Sequence, residues 1–266
     1  MFNFEKIILN GLNLIPSNEY TAHIEGLFDS SNSNSTSNLF TNGEYLGGFK
    51  ISSKKITLTL IRKKDTFNSF SQINYLINQG EVDLDFQTSI DERIFTCKVL
   101  KENIVYNEYG NAVITFKLCD PNIYLKDYKE LILEKRVEGG WKFPTSSFTI
   151  PSSWVYTENV IGNIGECINE GYSTVYPVIE IIGEGSDFKI INETTKEQLN
   201  LNINIEAGQV LYVDCNPASR CVKRNDVSVI KHKTGTYISL TTGSNSLKVD
   251  YIGECTVSLK WRESWL

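Results

Sequence analysis

"LNLNINIEAGQVLYVDC", Leu199 to Cys215, alternates apolar residues with asparagine as far as Ile205, passes Gly208 and resumes as "VLYVDC". A period of two puts Leu199, Leu201, Ile203 and Ile205 on one face of an extended chain and Asn200, Asn202 and Asn204 on the other. The stretch therefore predicts two β-strands joined by a glycine turn, with a buried apolar face and an uncharged outer face. Water, a neighbouring subunit or a docked protein can each satisfy those asparagines.

Composition extends this reading to the whole chain. Val, Ile and Thr total 65 of 266 residues, whereas Ala, Leu and Met total 27, with only four alanines. Branched residues suit pleated sheet better than helix, so the chain is expected to be mainly β. Apolar residues at 41% are enough for a packed core. The net charge is −6, and dividing the chain at Gly139/Gly140 leaves −3 on each part. Neither half has the basic excess that nucleic acid or an anionic membrane would attract.

The amino terminus, "MFNFEKIILNGLNLIP", has Glu5 before Lys6 and no small-residue cleavage site, so it reads as a first strand and not as a signal. "SSNSNSTSN" (Ser30 to Asn38) reads as a polar, mobile loop. "KITLTLIRKK" (Lys55 to Lys64) reads as a central strand. A helix is expected near 66–79 in "DTFNSFSQINYLINQG": Asp65 or Thr66 can cap it, Phe67, Phe70, Ile73, Tyr75/Leu76 and Ile77 form its apolar face, and Gly80 ends it.

Strands resume in "EVDLDFQTSI", "RIFTCKVLKENIVY" and "AVITFKLCDPNIYL". The charged stretch "KDYKELILEKRVEGGWKFP" can hold a short helix or a strand, and its diglycine and Pro144 mark a boundary between domains 1–139 and 140–266. Beyond it, glycine turns at short intervals suggest a β-sandwich, with "GEGSDF" (Gly183 to Phe188) as a hairpin turn.

No catalytic, cofactor or metal constellation emerges. His23 and His232 lack partners at ligand spacing. Cys215 and Cys221, separated by "NPASR", form no CxxC motif, and the six cysteines are expected to be free and mostly buried. Asp83 and Asp85 alternate with Val82, Leu84 and Phe86 and are read as a solvated strand face. "IRKK", "VKRN" and "KHK" are short basic runs near acids and are also read as solvated surface. Tryptophans near the boundary and the carboxyl end (Trp141, Trp261, Trp265) would suit a core, an interface or a sugar.

From Glu170 to Asp226 the sequence resembles the carboxyl-terminal domain of the distal tail proteins of long-tailed phages. "YPVIEIIG" and "FKIINETTKEQLNLNINIEAGQVLYVDCNPASRCVKRN" carry the family's proline-led strand, its "I-x-N-x-T-T" turn, its alternating strand and its glycine turn before a strand ending in Asp. The matching positions are Pro177, Gly183, Asn192, Thr194, Thr195, Leu199, Leu201, Gly208, Val213 and Asp214. Each has a fold role available: Asn192 with Thr194 and Thr195 in a backbone-bonded turn, Gly208 at positive φ, the leucines in the core. "ITFKLCDPNIYL" and the terminal "WRESWL" are similar to further segments of the family.

The resemblance implies two β-sandwich or barrel-like domains, the first with a flanking helix and the second galectin-like. It also implies a homo-oligomeric ring, commonly a hexamer, between the tail tube and the tail-tip or receptor-binding proteins. Such a subunit would be made in the bacterial host cytoplasm and reside in the virion tail, with no enzymatic activity, no cofactor, no membrane and no sequence-specific nucleic-acid contact. The alternative is a carbohydrate-binding β-sandwich module. Against it, "NPASR" puts Ala218 and Ser219 between proline and arginine, which departs from the galectin Asn-Pro-Arg pattern.

Overall fold

The computed structural model describes residues 3–17, 19–27, 32–38, 44–51, 54–63, 67–107, 111–120, 122–134, 136–138, 159–161 and 163–265, with only the backbone described in 32–51, 67–70, 134–138 and 159–161. Its residues divide into two compact units, 1–127 with 264–266, and 128–263.

The first unit starts with the hairpin β1 (Phe4–Leu9) and β2 (Leu12–Ile15), where the amino-terminal apolar run predicts a strand. β3 (Tyr20–Glu25) follows. The serine- and asparagine-rich stretch expected to loop is instead a strand, β4 (Asn32–Asn38), paired with β5 (Glu44–Ile51) in a two-stranded sheet. Ladder hydrogen bonds come from the backbone, so a polar sequence can still be held in register by a partner strand. β6 (Lys55–Arg62) lies between two other strands, as its apolar character requires.

Helix α1 (Phe67–Ile77) comes next and buries Ile73 and Ile77, an i,i+4 pair, while Tyr75 is 68% exposed. Of the Tyr75/Leu76 pair, Leu76 is half-buried; the expected caps Asp65 and Thr66, and the side chains of Phe67 and Phe70, lie outside the described residues. β7 (Glu81–Thr88), β8 (Phe95–Tyr106), β9 (Ala112–Leu118) and β10 (Ile123–Leu125) complete the run.

The main sheet has the order β2-β1-β7-β8-β9-β6-β3, and its two outer strands, β2 and β3, also contact one another, so it is nearly closed. Its interior is one apolar cluster that includes Leu9, Leu58, Phe86, Phe116 and Ile73. Asp85 corrects the expectation of a solvated face: it is buried and paired with Lys126 at 2.5 Å, while Asp83 is exposed. Asp85 can be buried because the largely exposed Lys126 reaches it with a counter-charge, where an unpaired carboxylate would be costly. The last strand of the chain, β22 (Ser264–Trp265), pairs with β10 and so belongs to this unit.

The second unit opens with β11 (Lys129–Glu134), which resolves the charged stretch as strand and not helix; β12 (Arg136–Glu138) and β13 (Asn159–Ile161) pair with one another. It continues through β14 (Ile164–Asn169), β15 (Val178–Asn192), β16 (Glu197–Leu201), β17 (Val210–Asp214), β18 (Cys221–Arg224), β19 (Val227–Ser228), β20 (Lys233–Gly235) and β21 (Gly243–Trp261).

β15 and β21 form a long antiparallel ribbon. The first half of β15 pairs with β17 and its second half with β16; β21 likewise turns from β14 to β11. Two strand layers are built on one bent ribbon, and apolar residues from both fill a single core.

The bend explains why "GEGSDF" is not a hairpin turn. It lies inside β15, where the register against β21 shifts between Ser186 and Lys189. Gly183 has φ +133°, and a Cβ there would lie 2.3 Å from the Glu254 carbonyl oxygen. The glycine serves close approach of two backbones instead of chain reversal.

Candidate functional site

The asparagine strand lies in the second unit, and its alternation survives in three dimensions. Leu199 and Leu201 are fully buried and Ile205 nearly so, while Asn202 and Asn204 are exposed and Asn200 is half-buried. Beyond β16 the chain stays extended: Asn202 N donates to His232 O, and Ile205 exchanges backbone hydrogen bonds with Gly185. Gly208, at φ +85°, then reverses the chain into β17.

The residues singled out by sequence fall into two clusters and several separate places. Asn192, Thr194 and Thr195 are together. Asn192 is fully buried; its Oδ1 accepts from the backbone N–H groups of Thr194 and Thr195, and its Nδ2 donates to Ser239 O at 2.7 Å and to Asn245 Oδ1 at 3.2 Å. Asp214 forms the second cluster, accepting from Asn216 N and from the Ser219 hydroxyl and so shaping the "NPASR" turn. Pro177 contributes its carbonyl to Cys215 N. Gly183 and Gly208 lie at the ribbon bend and the β16–β17 turn and touch neither cluster.

Sequence reading missed the partners that make the Asn192 site a network. Asn245, also fully buried, bonds Thr241 and Gly243, while Asn169 holds Ser173 O and Leu240 O. Glu197 Oε2 accepts from both the backbone and the hydroxyl of Ser239 and from the Thr195 hydroxyl. The only sequence signal was that each asparagine adjoins a glycine or serine turn. Every polar atom in such a buried network needs a partner, and mutual satisfaction fixes three loops relative to one another.

A third constellation lies at Tyr237. The Arg220 guanidinium is 5.1 Å from the ring centroid and the Lys233 ammonium 4.3 Å. Burial, and then the charge of Arg220, holds the Lys233 ammonium below its ordinary pKa. Neither cation has an ion-pair partner among the described residues; Lys233 belongs to the run "KHK", and Arg220 lies outside the basic runs.

All six cysteines are free thiols, four of them buried; burial pushes Cys97, Cys167 and Cys215 up to about 12, so these thiols are inert at neutral pH. Among the described residues no group of three or more His, Cys, Asp or Glu side chains gathers as for a metal, and no helix is long and apolar enough to cross a membrane. Trp261 is buried in the core of its unit; Trp265 lies in β22, and Trp141 lies outside the described residues.

Two compact β units, the first nearly closed around a helix-flanked core and the second built on a bent ribbon, are arranged along the chain as in solved structures of phage tail proteins. Across 100% of both chains the structure matches that of SPP1 Dit, described as a paradigm of hub adsorption apparatus in Gram-positive infecting phages, with TM-score 0.64 and 12% identity. Chains of the phage P2 baseplate in its activated conformation, with Ca and with Sr, match at TM-scores of 0.52 and 0.50 and identities of 11% and 10%, covering 98% of each chain. Residues 170–265, nearly all of them in the second unit, match the family model of the siphovirus-type tail component, C-terminal domain. A search of curated proteins finds no match.

Proposed function

We propose that the protein is a structural subunit of the tail tip of a phage or phage-like particle, forming a ring that joins the tail tube to the baseplate and adsorption apparatus. The observation that carries this reading is the end-to-end likeness to a hub protein in both units, joined by the independent sequence match over 170–265. In this reading the amino-terminal domain, 1–139, makes the ring, a hexamer, and the galectin-like domain, 140–266, holds tail-tip or receptor-binding proteins. Pro177, Gly183, Asn192, Thr194, Thr195, Gly208 and Asp214 act as fold positions that shape the second domain, and no reaction is catalysed.

Antibody raised against the purified chain tests the placement on tails released from the bacterium that encodes it. Label confined to the end of the tail distal to the head is expected. Label along the tube, on the head, or absent from assembled tails would overturn the assignment.

A further inference from the structure

Between Arg220 and Lys233 the chain carries five Lys or Arg residues against one acid, Asp226, in a protein of net charge −6. The fold brings the two ends of this segment onto one ring, that of Tyr237. Two like charges against one ring repel each other, and burial strips the Lys233 ammonium of part of its water while Arg220 stays exposed. The Lys233 ammonium spends its one hydrogen bond within the described residues on the Gly235 carbonyl, and the Tyr237 hydroxyl is buried with no hydrogen-bond partner among them. The charge of Asp214 reaches Tyr237, but among the described residues no carboxylate pairs with either cation.

Its surroundings favour a peptide. Among the described residues β19 is the outermost strand of its layer and β20 pairs with β16 alone, so each has an unpaired side, that of β20 occupied at Gly235 O by the Lys233 ammonium. Val227 and Ile230, near those edges, are 67% and 50% exposed. Cations, open edges and exposed apolar side chains together suit an extended segment that alternates acidic and apolar residues.

We propose that Arg220, Lys233 and Tyr237 form a carboxylate-binding site that takes an Asp or Glu side chain from an acidic segment of a partner protein. The carboxylate accepts from the guanidinium and the ammonium, relieving their repulsion with charge-assisted hydrogen bonds. The site deepens the docking role assigned above to the second domain and rests on that reading for where the partner comes from.

The test titrates the full-length protein with a peptide of alternating Glu and Leu, with its Gln counterpart, and with an oligogalacturonate of equal charge. Calorimetry measures affinity, and the Tyr237 ring signals in NMR spectra locate the contact. The Glu peptide is expected to bind and to shift those signals, and Arg220→Gln and Lys233→Gln are each expected to weaken it about tenfold at unchanged thermal midpoint. No binding, equal binding of the Gln peptide, preference for the oligogalacturonate, or indifference to both substitutions would overturn the site. Peptide binding by a protein that forms no ring would remove the tail-hub reading alone; a ring that ignores the acidic peptide would remove this site alone.

Discussion

Lys129 Nζ lies 2.5 Å from Glu263 Oε1, so the first residue of β11 is tied to the last residue of the second unit before the chain returns to the first. Glu263 is fully buried, and its Oε1 also accepts from Glu170 N at 2.8 Å. Removing the ammonium leaves a buried carboxylate short of its counter-ion. Lys129→Ala should cost about 2–3 kcal/mol, and Glu263→Gln, which keeps the acceptor for Glu170 N, should cost less. Urea unfolding of both variants measures the difference.

The same pair sets a response to alkali. Burial lowers the Lys129 pKa, but the hydrogen bonds and charges of Glu263 and Glu170 outweigh it and leave the value above the ordinary 10.5. A raised pKa contributes stability that is full below the unfolded value and is lost as pH rises through the folded one. The thermal midpoint should therefore fall above pH 10.5 more steeply in the parent than in Lys129→Ala.

Asn192 supplies a sharper chemical test. Its Nδ2 faces two oxygens, Ser239 O and Asn245 Oδ1, and only its Oδ1 faces donors. Asn192→Asp swaps a donor for a second acceptor in a fully buried place, so it should destabilise at least as much as Asn192→Ala, by about 3 kcal/mol or more. An Asp variant that matched the parent in urea would mean that the network is not formed as described.

Gly183 and Gly208 both have positive φ but differ in surroundings. A Cβ on Gly183 would meet the Glu254 carbonyl at 2.3 Å, whereas a Cβ on Gly208 meets nothing within 4 Å. Gly208→Ala should cost about 1 kcal/mol for backbone strain, and Gly183→Ala about 3 kcal/mol or more because the ribbon must also shift. Paired denaturation curves check the ranking.

Arg93 lies 5.3 Å from the Trp265 ring and is held by bonds of 2.7–3.0 Å to the Asp91 carboxylate. Its hydrogen bonds draw the Asp91 pKa below the usual 3.8, so this support is full above that pH and fades as pH falls through the lower folded value. Arg93→Ala should speed amide exchange at Ser264 and Trp265 by loosening β22, without changing exchange in β15, which belongs to the other unit.

Much of this was legible in the sequence. Period-two patterns located β16 and β17, and an i,i+4 apolar pair located α1, because burial of one face is a local demand written in neighbouring residues. Three kinds of feature were not legible. Asp85 looks solvated until Lys126, far along the chain, is seen beside it. "GEGSDF" has turn composition, but its Gly183 answers to Glu254 and its Gly185 to Ile252, both on another strand. Asn192 announced its own turn, while Asn245, Asn169 and Glu197 became partners only through the fold. In each case the deciding group lies at long sequence separation, where pattern carries no signal.

The most direct test of the central claim is the solution mass of the purified protein by light scattering, with negative-stain images of the largest species. A closed ring with a central hole and a mass of about 180 kDa, six chains of 30.2 kDa, is expected. A monomer at every concentration, both alone and with the tail tube protein, would contradict it.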